Sequence, residues 1–463
     1  MDENRVYELD LEKIGIDFKF VENGLTHSQC KEFKLLPYAA NEKTLVSNFD
    51  GVVGAISRVI CDKELKKDFN IDDFIENVVD EIGEFEGVNS KESFRDIIRT
   101  MFIDKGNLID FDIKTLNYIS STNAEEKIAK FLYSIFFDDS IKELVNEHYN
   151  RDVDNILYKL VLNALPQLNE KKYLDDAYKC YLPFIKELFA EDLKFLITDE
   201  ELYKNSLKRF LEFYNMFYIS QLAIKLGQFE KAKLDEPETV YYTLSFESTS
   251  KNRTAYKFGW ALLKGYVDDL FSHAITLEFL NHSNVERQLG YKELFDIMQE
   301  DDGHIEAQIE ELCESYIERR QDGIVWDNFT VKRDSSENKA FDKVYKLFEA
   351  VKYQFQGKTS TRTRANEAYR KWFIKFVEDN FAKRRGSLGY NLNLNEEDII
   401  LLTKICIKDN EKLKLSVLFK QFEKRGISFD RDSRAKIIQL YEKLNLLEKK
   451  SDSGDAQYVR SIL

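Results

Sequence analysis

Only 22 of the 463 residues are glycine or proline, 18 and 4 respectively. Average proteins carry about 12% of the two together. Residues that break helices and close tight turns are therefore scarce. The chain is expected to be mainly α, a multi-domain helical body with a few short strands. Hydrophobic residues make up 43% and charged residues 33%, which supplies a large core and a solvated surface and excludes a disordered or fibrous chain. At roughly 150 residues per domain, the length allows about three domains.

The five cysteines, Cys30, Cys61, Cys180, Cys313 and Cys406, include no CxxC pair. Zinc-finger spacing is absent, and the thiols read as reduced core residues of a cytoplasmic protein. The opening MDENRVYELDLEK is acidic and lacks the apolar core of a secretory signal. No apolar run approaches the roughly 20 residues that span a bilayer, so no membrane is expected.

Residues 1–60 read as a mixed segment, with alternation at Val6–Leu11 and Ile14–Val21 suggesting short strands or extended segments. A helix is expected near Gly51 and Gly54, with Asn48 or Asp50 as cap. Two glycines three apart can receive a phosphate, but they more often permit close packing. Residues 61–236 read as a helical domain. Its stripes include Phe131, Leu132, Ile135 and Phe136, and later Leu207, Phe210, Leu211, Tyr214, Phe217 and Tyr218. Thr198 and Glu201 have capping-box spacing before the second stripe, and Pro166 and Pro183 suit helix starts. Residues 237–385 read as a second helical region. It opens with an extended arm at Val240–Phe246, resumes as helix from Ala255 past His273, is interrupted at Gly303, and ends in a basic segment.

Residues 386–395, GSLGYNLNLN, carry no charge and read as a linker. Residues 396–463 then show a capped helix after Asn395, a short helix closed by Gly426, a third helix from Asp430 or Asp432, and two strand-like pieces around Ser451–Asp455. Three helices and a hairpin is the order of a winged helix, a helix-turn-helix variant whose third helix can enter a DNA groove.

Charge is segregated along the chain. The net formal charge is −15. Residues 352–385 carry +7, residues 396–463 carry +2, and residues 1–351 therefore carry −24. Lysine and arginine bind nucleic acid by neutralising phosphates and releasing counterions. The candidate DNA contacts are Lys358, Arg362, Arg364, Arg370, Lys371, Lys383, Arg384, Arg385, Arg434, Lys436, Lys449 and Lys450. The competing reading is a solvated helix face, or basic side chains answering the acidic half of the same chain.

Catalytic patterns are missing. Gly357-Lys358-Thr359 resembles the end of a Walker A loop, but Lys352 stands where the loop needs its first glycine. There is no GxGxxG, HExxH or GxSxG. Asp301, Asp302, His304 and Glu306 fit a helix cap better than a metal cluster. No catalytic, cofactor-binding or metal-binding residue is assigned, and no cofactor is expected.

Three segments carry a resemblance: FKLLPY at Phe33–Tyr38, FDGVVGAISR at Phe49–Arg58, and KKSDSGDAQYVR at Lys449–Arg460. In these the chain resembles the DptG family of DNA phosphorothioation-dependent restriction proteins, along its full length. The resemblance implies a role in bacterial defence beside DptF-like and DptH-like proteins, which are linked to ATP-dependent work on DNA lacking the host's backbone sulfur. It transfers no active-site residues. The expected function is a non-catalytic, DNA-engaging or scaffold subunit of such a complex. The alternative is a nuclease or nucleotide-dependent enzyme with an unrecognised site.

Overall fold

The longest helix, Glu200–Gln228, runs 29 residues. From Phe210 to Leu226 every side chain is buried, so it is packed on all sides rather than along one stripe. Its cap is Asp199, whose Oδ1 accepts from the Leu202 amide at 3.0 Å. The expected cap at Thr198 instead closes the preceding helix, Pro183–Ile197. Helices Asp50–Ile60, Pro183–Ile197, Trp260–Asp268 and Leu270–Asn281 pack around this central element. The computed structural model describes residues 7–28, 31–37, 45–66, 69–87, 89–173, 178–320, 324–356, 363–449 and 457–462, and they are mainly helical.

Of the short strands or extended segments expected at Val6–Leu11 and Ile14–Val21, residues 7–10 lie outside any helix with a single bridge from Leu9 to Ser283, Val21 bridges only to Gly24, and Val6 lies outside the described residues. Leu11–Asp17 is a helix, capped by Asp10, which accepts from the Lys13 amide at 2.8 Å. Ile14 is buried whereas Ile16 is 68% exposed, so the apparent alternation does not mark one face of a sheet. Pro183 does open a helix, but Pro166 follows the helix Ile156–Asn163 and starts none. The helix expected from Ala255 past His273 is three: Thr254–Lys257, Trp260–Asp268 and Leu270–Asn281. At Gly259, between the first two, a Cβ would lie 2.4 Å from the Ala255 carbonyl oxygen.

Gly51 and Gly54 serve packing. A Cβ on Gly51 would meet the Glu125 carboxylate at 2.4 Å, and one on Gly54 the Ile119 carbonyl oxygen at 2.2 Å. The helix Asp50–Ile60 therefore lies close on Asn123–Phe136, and the space a phosphate would need is filled. Asp301 accepts from the Ile305 and Glu306 amides, and Asp302 from the His304 amide, so this acidic turn caps the helix His304–Arg319.

The uncharged 386–395 stretch is not a flexible linker. Tyr390–Leu394 is the middle strand of a three-stranded sheet, parallel to Thr243–Leu244 and antiparallel to Ala382–Arg384. Leu392 and Leu394 are buried, and Asn391 pairs with Lys383 in the register. The lack of charge reflects a strand held between two others, not a solvated tether.

Beyond it come helix Glu396–Ile407, strand Lys412–Lys414, helices Leu415–Lys424 and Arg431–Lys443, and strands Leu447–Lys449 and Gln457–Arg460. The last strand sits between the other two and is antiparallel to both. This C-terminal unit shares one hydrophobic core with the body, which extends from Tyr7 to Val459. A second, smaller core gathers Phe74, Val78, Ile98, Phe102 and Val161.

The unit is locked to the body by charge as well. Arg425 donates from Nε to Asp192 Oδ2 at 2.8 Å and from NH2 to Oδ1 at 2.6 Å. Both side chains are buried, and Tyr214 donates to the same carboxylate at 2.6 Å. Removing one partner of such a pair strands the other charge in the core. Asp192→Ala is expected to lower stability by about 3–5 kcal/mol, measured as a lower midpoint in urea denaturation of the full chain.

Candidate nucleic-acid interface

Residues 412–449 concentrate positive charge more than the C-terminal unit as a whole. They hold ten Lys and Arg against five Asp and Glu, a net of +5. Each of the five acids is already engaged. Glu423 pairs with Arg434 at 2.6 Å, Glu442 with Lys449 at 2.6 Å, and Glu448 with Lys412 at 3.0 Å. Asp430 and Asp432 face Arg253 of the body, at 2.5 and 3.6 Å.

Seven cations of this stretch are exposed; apart from Lys449, which holds Glu442, they are six: Lys414, Lys420, Lys424, Arg431, Lys436 and Lys443. None of the six pairs with an acid among the described residues; Lys436 donates to Gln439 at 3.0 Å. Helix periodicity explains the exposure. Lys420 and Lys424 are one turn apart, opposite buried Leu418 and Phe422. On Arg431–Lys443, the buried Ser433, Ile437, Leu440 and Tyr441 leave Arg431, Ala435, Lys436, Gln439 and Lys443 facing outward. Five of these six cations lie outside the contacts expected from sequence. Their i, i+4 and i, i+7 spacing against apolar positions was the available signal.

The sequence-derived contacts divide into groups. Lys358, Arg362 and Lys450 lie outside the described residues, as does the Gly357-Lys358-Thr359 motif. Arg364 and Arg384 are exposed. Arg370 pairs with Asp268 at 2.7 Å, and Lys371 with Glu367 at 3.1 Å. Lys383 donates to the Ser245 carbonyl at 2.9 Å. Arg385 donates to the Glu247 and Leu244 carbonyls at 2.9 and 2.6 Å, and its burial lowers its pKa. Arg434 lies over the Phe419 ring, 4.9 Å from its centroid, while it holds Glu423. Lys449 is held by Glu442, and Lys436 is open. Much of the basic segment 352–385 thus answers charge and carbonyls of its own chain, Lys352 included, which pairs with Asp269 at 2.7 Å.

Asp430 fixes how the helix Arg431–Lys443 starts. Its Oδ1 accepts from the Ser433 amide at 3.1 Å, and the same carboxylate takes the Arg253 fork. Burial opposes ionisation of Asp430, but the Arg253 hydrogen bond and the Ser433 and Ala255 amides outweigh it and hold its pKa below the ordinary value.

Groups suited to covalent chemistry are muted. Burial pushes the thiols of Cys61, Cys313 and Cys406 up to about 12, so they are protonated at neutral pH. Between the central helix and Glu396–Ile407 lies a cleft of about 570 Å³ whose lining includes neither histidine nor cysteine. Two of its acids, Glu212 and Asp398, are both held by Arg209. No helix among the described residues is long and apolar enough to cross a membrane. No family model matches the chain, and no curated protein matches its sequence.

The Asp430 carboxyl carries a pH signature. Its folded pKa is depressed, so its contribution is present at neutral pH and fades as pH falls below the usual carboxylate value of about 4. In Asp430→Asn, stability at neutral pH is expected to be lower and its decline below about pH 4 shallower than in wild type. Urea midpoints across an acid pH series measure both.

Proposed function

We propose that the chain is a non-catalytic subunit of a bacterial restriction complex, engaging DNA that lacks phosphorothioate modification and serving as scaffold for DptF-like and DptH-like partners. On this reading residues 396–463 are a winged helix and meet the DNA. The observation that carries the DNA part is the charge balance of residues 412–449, where every acid is paired and six exposed cations have no acidic partner among the described residues. Duplex DNA presents one negative charge per ~1.7 Å of axis, and unpaired lysines and arginines are what displace its counterions.

The winged-helix reading draws support from element order and sheet order. A helix, a strand, two helices and two strands follow one another, and the last strand lies between the first two. The outward face of the third helix carries Arg431, Lys436, Gln439 and Lys443, residue types that contact phosphates and base edges, beside the exposed acids Asp432 and Glu442, which face Arg253 and Lys449. The restriction role rests on the resemblance in Phe33–Tyr38, Phe49–Arg58 and Lys449–Arg460. Lys352, Arg370, Lys371, Lys383 and Arg385 of the basic segment are held by their own chain, which favours the C-terminal unit for the DNA contact.

The test uses the full chain, co-expressed with its neighbouring genes, and a short unmodified duplex in a salt series. Affinity is expected to fall steeply with salt. The quadruple variant K420E/K424E/R431E/K436E is expected to bind at least tenfold more weakly and to lose roughly one unit of log–log salt slope per phosphate contact removed. Affinity indifferent to salt and to these reversals would remove the DNA part. Failure to co-purify with any neighbouring gene product would remove the complex.

A further inference from the structure

We propose that Asp17, Glu32 and His282 form a binding site for a divalent transition-metal ion of the zinc class. One ligand atom from each residue lies within 4.8 Å of the other two. They come from distant parts of the chain: the end of the helix Leu11–Asp17, the extended segment after it, and the end of Leu270–Asn281.

The orientation of the imidazole makes this more than a cluster of acids. His282 has no solvent exposure. Its Nδ1 lies 2.7 Å from the Glu278 carbonyl oxygen, which can only accept, so Nδ1 carries a hydrogen. That leaves Nε2 facing Asp17 Oδ2 at 3.1 Å. With a hydrogen on Nδ1, Nε2 is the ring nitrogen that can coordinate an ion shared with Asp17, in place of the proton that otherwise links the two.

Glu278 organises the two other sides of the site. Its carbonyl aims the imidazole, as outer-shell groups do for metal-bound histidines. Its carboxylate accepts from the amides of Lys31, Glu32 and Phe33 at 3.0, 2.8 and 3.3 Å, which fixes the backbone that presents Glu32. A neutral imidazole and two carboxylates suit Zn²⁺, and partial exposure of Asp17 and Glu32 leaves room for water as a further ligand. The competing cation is Lys13, whose Nζ lies 2.7 Å from Glu32 Oε1. Its side chain is 45% exposed, so it can swing into solvent when the metal arrives. The bound ion would clasp the segment around Asp17 and Glu32 to the end of Leu270–Asn281.

The test is isothermal titration of the chelator-treated full chain with ZnCl₂, together with thermal unfolding. One equivalent is expected to bind and to raise the unfolding temperature. D17N and E32Q, at partly exposed positions, are each expected to weaken binding at least tenfold and to abolish the thermal shift. K13M removes the competing ammonium and is expected to tighten binding several-fold. H304Q, at an exposed histidine elsewhere, is expected to change nothing. Absence of stoichiometric binding, or binding unaltered in D17N and E32Q, would reduce the triad to a protonated His–Asp pair and overturn the proposal.

Discussion

A carboxylate with no contact with solvent, Asp192, holds this molecule together across its length. It sits on Pro183–Ile197, takes the fork of Arg425 from the end of Leu415–Lys424, and takes the hydroxyl of Tyr214 from the central helix. Lys408, just past the helix Glu396–Ile407, adds a third donor at 3.2 Å. A buried ion pair offsets its desolvation only when its oxygens are fully occupied, and here both are. The residue after Arg425 reinforces the junction. Gly426 has φ +71° and packs where a Cβ would lie 2.6 Å from the Phe217 ring. With Arg253 gripping Asp430 a few residues later, the body determines how the helix Arg431–Lys443 stands and which face it leaves open.

That fixation decides the electrostatics. The acidic body does not simply oppose a basic tail; its acids take up tail cations. Asp268 and Asp269 hold Arg370 and Lys352, and Glu191 and Asp192 hold Lys408. Within the described part of the C-terminal unit, what remains positive is local: Lys414 and the outward side of two short helices. The body's excess negative charge would repel DNA at a distance, but physiological salt screens it beyond about 8 Å. Contact through the C-terminal unit is therefore compatible with an acidic protein, although steering over long range is not. Partner proteins carrying their own positive surface would supply that steering.

Helix content was legible because few residues could interrupt it, and the caps at Asn395 and Asp430 were read from their side-chain chemistry. Asn395 accepts from the Asp398 amide at 2.8 Å, and Asp398 returns a bond to the Asn395 amide. Gly51 and Gly54 were legible as packing positions for the same local reason. Errors arose where a tertiary partner overrode local pattern. GSLGYNLNLN resembles a tether until Thr243–Leu244 and Ala382–Arg384 flank it, and the leucine alternation at 392 and 394 was its one sequence trace. The charge count of residues 352–385 was correct, but the count cannot see that Asp268 and Asp269 lie against them. The useful cations were diluted in the +2 of residues 396–463, because the acids at 396–398, 409, 411, 452 and 455 cancel them in the arithmetic.

The same logic accounts for where the histidines sit. Four of its five histidines are built into fixed contacts: His27 with Tyr316 and Gln354, His148 with Arg151, His273 with Tyr291, and His282 with Glu278 and Asp17. Burial and two nearby cations, Arg333 and Lys352, drive the His273 pKa well below its ordinary value, and its ring stacks on Phe348. A histidine held neutral in an aromatic core organises packing. These four histidines are built into contacts between elements. On the proposed reading that is a division of labour: rigidity and a charged face come from this chain, and bond-breaking comes from the proteins it holds.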